Sequence, residues 1–170
     1  LSDKEFDINA SCRYGELSYE SDNESVVSVD SSGHAVINGA GRAKIKVTAP
    51  AIYNYAKTVK TFNITVRPDT VKISSLTGTA KTATVSWEHD AEAAGYQIRY
   101  SLKSNMKNSK VCSVRKSLTK KKLRGLKSNT KYYVQVRSYV KTDDGSKIYS
   151  SWSDKKNIKT KKVKTEKKKS

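Results

Sequence analysis

Residues 126–139 read LKSNTKYYVQVRSY, and from Tyr132 onward the alternation is strict. Tyr132, Val134, Val136 and Ser138 fall on one face, and Tyr133, Gln135, Arg137 and Tyr139 on the other. Successive strand side chains point to opposite faces, so the spacing predicts a half-buried strand. Its inner face is apolar and its outer face polar and aromatic. Ahead of it stand Leu126 and a turn of Lys127, Ser128 and Asn129. A tyrosine just past such a turn can bury its ring and return its hydroxyl to the upstream backbone, as in β-sandwiches.

The flanking segments follow the same period. Upstream, Ala83, Val85 and Trp87 alternate, as do Tyr96, Ile98 and Tyr100 in GYQIRY. Val71, Ile73 and Leu76 open the set. Lys110–Arg115 and Ser117–Arg124 form a more polar pair. Downstream, Asp143-Asp144-Gly145-Ser146 is a hairpin tip, and Lys147–Lys161 is read as one last strand carrying Ile148, Trp152 and Ile158. Together Trp87, GYQIRY, Leu126 and the L-x-x-x-T-x-Y-x-V-x-V pattern resemble a fibronectin type III domain over residues 71–161. Ser150-Ser151-Trp152-Ser153 ahead of Ile158-Lys159-Thr160-Lys161 resembles the lysine-rich form found on Gram-positive surface proteins.

Residues 1–67 are also strand-like. Phe6, Ile8 and Ala10 alternate, Leu17–Glu20 is a short strand, and Asn23–Asp30 is closed by Ser31-Ser32-Gly33. Gly33 suits a turn needing positive φ. His34–Asn38 returns, Gly39-Ala40-Gly41 turns again, and Ala43–Thr48 runs out to Pro50. After a loop with Tyr53 and Tyr55, Lys57–Arg67 is a long strand. Val59, Thr61 or Phe62, Ile64 and Val66 compete for its inner face, and the slip between Val59 and Phe62 predicts a bulge. The runs LSYES, VVSV, SGHAVI and GAGRA resemble, in order and spacing, a bacterial immunoglobulin-like domain of group 2. The resemblance implies a small sandwich, used in tandem as a spacer or adhesive module of surface and secreted proteins. In that family the first strand begins earlier than Leu1, so the chain is expected to be a fragment with this strand truncated.

The fold expected is therefore all-β, two consecutive β-sandwiches. The immunoglobulin-like domain spans 1–67, a linker 68–70, the fibronectin type III domain 71–161 and a disordered basic tail 162–170. Pro68 fixes its own φ and restricts Arg67, which limits bending at the linker. At 170 residues, 35% of them hydrophobic, the chain accommodates two such domains.

Charge divides the same way. The net charge is +18, yet residues 1–69 carry eight Lys/Arg against nine Asp/Glu. The remaining residues carry 26 against seven, a net of +19. This points the second domain towards a polyanion: an acidic wall polymer, a glycan, an anionic membrane or nucleic acid. No nucleic-acid fold or base-stacking motif accompanies the charge, so specific nucleic-acid binding is not expected. No stretch of 18 apolar residues is present, so no transmembrane segment is expected. Cys12 and Cys112 fall one in each half, which excludes a disulfide within either domain.

Catalytic and metal motifs are sparse. A nucleophile–base pair needs a histidine near both partners; His34 sits in a tight hairpin and His89 in a loop. Asp143-Asp144 and Asp22-Asn23-Glu24 offer oxygens to calcium, but each loop has few carboxylates. No catalytic residue, cofactor or metal is expected. The surface constellation that stands out is Arg99, Tyr133, Arg137 and Trp152, which should share one sheet face. Guanidinium groups interleaved with aromatics form cation–π pairs. Ser151-Trp152-Ser153 resembles part of the tryptophan–arginine ladder of cytokine-receptor fibronectin domains. Such a face either rigidifies the sheet or offers a platform for sugars and anions.

The resemblances imply a monomeric, non-enzymatic spacer or adhesion pair of a large secreted or wall-associated bacterial protein. Its partners would be anionic wall polymer or glycan at the second domain, or a host or bacterial surface protein. The alternative is a carbohydrate-binding accessory region of an extracellular hydrolase whose catalytic domain lies outside this chain.

Overall fold

A computed structural model describes residues 4–163 and divides the chain into two compact units, with the main break between Arg67 and Pro68 and the hairpin tip Thr142–Ser146 grouped with the first. Among the described residues every regular element is a strand, and every pairing is antiparallel. The basic tail falls mostly on 164–170, and the truncated first strand partly on 1–3; both stretches lie outside the described residues.

The first domain contains β1 (Glu5–Asp7), β2 (Ser18–Ser21), β3 (Val27–Val29), β4 (His34–Ile37), β5 (Gly41–Ala49) and β6 (Thr58–Val66). They form two three-stranded sheets, β1-β4-β3 and β2-β5-β6. Val26, Val27, Ala35, Ala43, Ile45, Val47 and Val66 make the core. The run 23–30 is a strand only over its last part. Val26 and Val27 both donate to the Asn23 carbonyl, which closes a turn first. At the next turn Asp30 accepts from the backbone of Ser32 and His34, with Gly33 at φ +86.

The bulge expected in the long strand is absent. β6 keeps an unbroken register with β5 from Thr58↔Ala49 to Val66↔Gly41. Phe62, Ile64 and Val66 share one face, and Val59 and Thr61 the other. Only Val66 is fully buried, and Phe62 is 43% exposed, because the core reaches only the last part of β6. Val59 therefore has no claim on the interior, and nothing requires a slip.

The second domain contains β7 (Ile73–Gly78), β8 (Thr82–Trp87), β9 (Gly95–Ser101), β10 (Lys110–Arg115), β11 (Lys120–Arg124), β12 (Lys131–Lys141), β13 (Lys147–Tyr149) and β14 (Lys156–Lys159). One sheet runs β11-β8-β7. The other runs β10-β9-β12, with both β13 and β14 on the far side of β12. Ala83, Val85, Trp87, Tyr96, Ile98, Val134 and Val136 lie between the sheets. A bulge does occur here, between Ile73 and Ser75. It lets Ile73 and Leu76 both turn towards the core although they are three residues apart.

One further expectation is corrected. The stretch 147–161 is two strands, because register against β12 shifts between Tyr149↔Tyr139 and Lys156↔Val134. Tyr139 keeps its outer-face parity and is only 8% exposed because Tyr149 and Lys147 lie over its ring. Gly95 lies opposite it, and a Cβ there would come within 2.5 Å of the Tyr139 hydroxyl, so the glycine makes room for the ring.

Tyr132 closes the turn before β12. Its ring is buried, and its hydroxyl accepts from the Lys127 backbone N–H at 2.9 Å. Replacing Tyr132 by Phe strands that amide and is expected to cost the second domain about 1–2 kcal/mol. Calorimetry on the full chain checks this; no change in the second domain's transition would refute it.

Candidate functional site

The outer face of the larger sheet in the second domain is built by parity. On β9 it presents Gln97 and Arg99, and on β12 Tyr133, Gln135 and Arg137. Register sets Arg99 opposite Gln135 and Arg137 opposite Gln97. Each arginine then reaches straight across the strand pair. Arg99 donates from Nε and NH2 to Gln135 Oε1 at 2.9 and 2.6 Å. Arg137 does the same to Gln97 Oε1 at 3.0 and 2.7 Å.

Trp152 arrives from the segment between β13 and β14. That segment has no regular ladder, and two serines replace one. Ser150 N–H donates to Ser138 O, and Ser138 N–H donates to Ser150 Oγ. Ser153 N–H donates to Val136 O, and Val136 N–H to Ser153 Oγ. Ser153 O also accepts from Gln135 Nε2 at 2.7 Å. Both serines are buried, so these bonds satisfy backbone that would otherwise be orphaned. Pinned on both sides, Trp152 lies over the sheet face.

The guanidinium carbons of Arg99 and Arg137 each sit 4.3 Å from the Trp152 ring centroid. Arg137 also lies 3.8 Å from the Tyr149 ring. The stack runs Arg99, Trp152, Arg137, Tyr149. Tyr149 packs on Tyr139, with ring centroids 5.6 Å apart, and Lys147 Nζ lies 4.4 Å from the Tyr139 ring. Desolvation by these neighbours pushes both guanidinium groups below the usual arginine range. Their charge is spread over aromatic faces and amide oxygens.

Of the four residues singled out in the sequence, Arg99, Arg137 and Trp152 come together. Tyr133 shares the face but stands outside the stack, with Lys131 and Lys155 over its ring at 5.3 and 5.7 Å. Gln97, Gln135 and Tyr149 belong to the constellation and were not singled out. The two glutamines were legible by parity with the arginines. Tyr149 was not, because its place depends on the break after β13.

The remaining candidates have local work. Asp22 accepts from Lys44 N–H at 2.6 Å, and the Asn23 side chain bonds Arg42 O and Ser25. Asp144 accepts from the Thr142 hydroxyl and from Ser146 N–H, bonds that hold its carboxyl well below the usual carboxylate range. Both loops thus spend carboxylate oxygens on their own turns. His34 Nδ1 lies 2.8 Å from Asp7, which raises the imidazole above its ordinary pKa. Cys12 and Cys112 are free thiols, and burial pushes the Cys112 thiol up.

Two family models match the chain in the order of its two domains. Residues 3–51 match the family model described as intimin, immunoglobulin-like domain, and residues 66–155 match the fibronectin type III domain. No curated protein matches the chain. Among solved structures, the FN1–FN3 domains of chicken CNTN1 are similar at 23% identity and a TM-score of 0.49. That match covers 71% of this chain and 41% of the chicken one. The sixth fibronectin type III domain of human fibronectin type III domain containing protein 3 is similar at 19% identity and a TM-score of 0.46, covering 60% of this chain and 93% of its own.

Proposed function

The chain belongs to the fibronectin type III family, with an intimin-type immunoglobulin-like domain ahead of that domain, and from this premise we propose a spacer and adhesion role in a large secreted or wall-associated bacterial protein. Both domains are of a non-catalytic type common in extracellular proteins. The second domain is the one proposed to touch anionic wall polymer.

One observation carries this reading. From Ala93 to Thr142 there are 14 Lys/Arg and no Asp or Glu. Three of these cations form a row on β11. Lys120, Lys122 and Arg124 are exposed and stand opposite Ser86, Thr84 and Thr82 of β8. Alternate residues of a strand are about 6.6–6.8 Å apart, so the row offers a cation at each such step. The hydroxyls beside it supply hydrogen bonds. A linear phosphate-bearing polymer matches this pattern of charge and donors. The one aromatic ring of β8, Trp87, is turned into the core, so this face adds none on which bases could stack.

The arginine–tryptophan stack supports a mechanical role for the opposite sheet. Its guanidinium groups already hold their partners, which favours stiffening over capture.

The test is retention of the full chain on purified Gram-positive wall, with and without its teichoic acid, across a salt series. Binding is expected to fall steeply as salt rises, because exposed charges are screened beyond about 8 Å at physiological ionic strength. Lys120→Glu/Lys122→Glu/Arg124→Glu is expected to weaken it about tenfold or more, a change of about 1.4 kcal/mol. Salt-insensitive retention, or full retention by the triple variant, would refute the electrostatic account.

A further inference from the structure

One pole of the first domain carries three tyrosines in the open. β1 starts and β6 ends at the opposite pole, so this one is built from the loops 8–17, 30–33 and 50–57. The Tyr14 ring lies 5.1 Å from Tyr55 and 6.1 Å from Tyr53. Tyr14 and Tyr55 are 40% and 50% exposed, and Tyr53 is 85% exposed. Arg13 places its guanidinium carbon 5.7 Å from the Tyr14 ring.

The backbone is arranged to hold these rings outward. Ile52 and Tyr55 exchange backbone hydrogen bonds of 3.1 and 2.9 Å around a two-residue turn. Tyr53 occupies that turn at φ +51, a left-handed conformation a bulky side chain adopts at a cost. Asn54, the residue type that takes such a position cheaply, is its neighbour and does not take it. Strain of this kind persists where surrounding structure and function maintain it. The second loop is locked to the first. Gly15, at φ +78, lies so close to Pro50 that a Cβ would come within 2.8 Å of the proline ring. On the loop 8–17 that carries Tyr14, Asn9 and Ser11 line a shallow cleft together with Lys60 of β6.

We propose that Tyr14, Tyr53 and Tyr55 form a glycan-binding site. Pyranose C–H faces are apolar and weakly positive, and they stack on the negative faces of aromatic rings. Asn9, Ser11 and the tyrosine hydroxyls take the sugar hydroxyls, and Arg13 takes a carboxylate where the sugar has one. Three rings bounded by polar residues offer far less than the ~800 Å² per partner of a stable protein interface, which favours a small ligand. The net charge of −1 over residues 1–69 selects a neutral or weakly acidic glycan over a polyanion. This rests on the adhesion reading above but lies on the other domain and uses a different chemistry.

The probe is an immobilised panel of neutral and sialylated oligosaccharides, presented to the full chain at high salt to suppress charge contacts. At least one oligosaccharide is expected to be retained. Tyr53→Ala and Tyr55→Ala should each weaken that binding about tenfold, while Lys120→Glu/Lys122→Glu/Arg124→Glu binds it as wild type does. This separates the site from the second domain's contacts. Tyr53→Gly eases the backbone, and is expected to lose binding without lowering the melting temperature. Retention of no oligosaccharide, undiminished binding by a Tyr53→Ala/Tyr55→Ala variant, or a lowered melting temperature for Tyr53→Gly would overturn the proposal.

Discussion

Trp87→Ala is expected to lower the stability of the second domain by about 3–5 kcal/mol, the cost of emptying a large aromatic site in a packed core. Trp87 is 3% exposed, and its ring lies 5.3 Å from that of Tyr96, which is fully buried. Tyr96 is itself tied down, since its hydroxyl accepts from Asp90 N–H at 2.9 Å and donates to Asp90 O at 3.3 Å. The surroundings therefore cannot close over the gap. Domains of this size hold about 5–15 kcal/mol in all, so the loss brings the variant close to unfolding. For a domain of ~100 residues each 1 kcal/mol moves the melting temperature about 4–8 °C. Trp87→Phe is the informative companion. The buried indole Nε1 finds no acceptor among the described residues, so the phenyl ring gives up no hydrogen bond and keeps much of the packing. Its cost should be well under half that of alanine. Calorimetry on the full chain reads both variants, with the first domain's transition as an internal control. Equal costs for Phe and Ala, or a parallel shift of both transitions, would contradict this account.

The residues behind that prediction were legible because burial in a sheet imposes a period of two. Ala83, Val85 and Trp87 could be placed by counting, as could Tyr96, Ile98, Val134 and Val136. The tyrosine turn at Leu126–Tyr132 was legible for a similar reason, since local spacing carries it. What escaped were features set by contacts between distant segments. The break in the last strand depends on Ser150 and Ser153 replacing ladder bonds with side-chain bonds to β12. A serine in a polar run gives no sign of that. The bulge was expected at Val59–Phe62 and occurs instead at Ile73–Ser75, because apolar residues on a strand need not all face inward. The tyrosine pole has no periodicity at all. Tyr14 meets Tyr53 and Tyr55 only because Gly15 seats one loop on Pro50 of the other. Arg99, Arg137 and Trp152 were legible as a set, since two lie at matched positions of alternating strands. The order of the stack was not, because it passes through Tyr149.

Arg137→Ala is expected to cost the second domain about 2–3 kcal/mol, a large effect for a partly exposed side chain. Three losses combine. The contacts with Trp152 and Tyr149 are each worth about 0.5–1 kcal/mol. The forked pair of bonds to Gln97 adds about 1 kcal/mol. Trp152 also loses the cation on one side and Tyr149 keeps only Tyr139 as a ring partner, so both become more mobile. Arg137→Lys retains charge but neither the planar fork nor the stacking surface, and should recover less than half of the loss. A cycle between Arg99→Ala and Trp152→Phe gives the coupling inside the stack, expected at about 0.5–1 kcal/mol. The fluorescence of Trp152 in a Trp87→Phe background reports the same event locally, since the chain has two tryptophans. Emission should shift towards that of a solvated indole when Arg137 is removed. A ladder that stiffens the sheet loses stability with each guanidinium group whatever the solution contains. A ladder kept for ligand capture would tolerate Arg137→Ala in free solution and lose only retention on the wall. Full stability of Arg137→Ala would therefore move the stack from the mechanical role to the binding one.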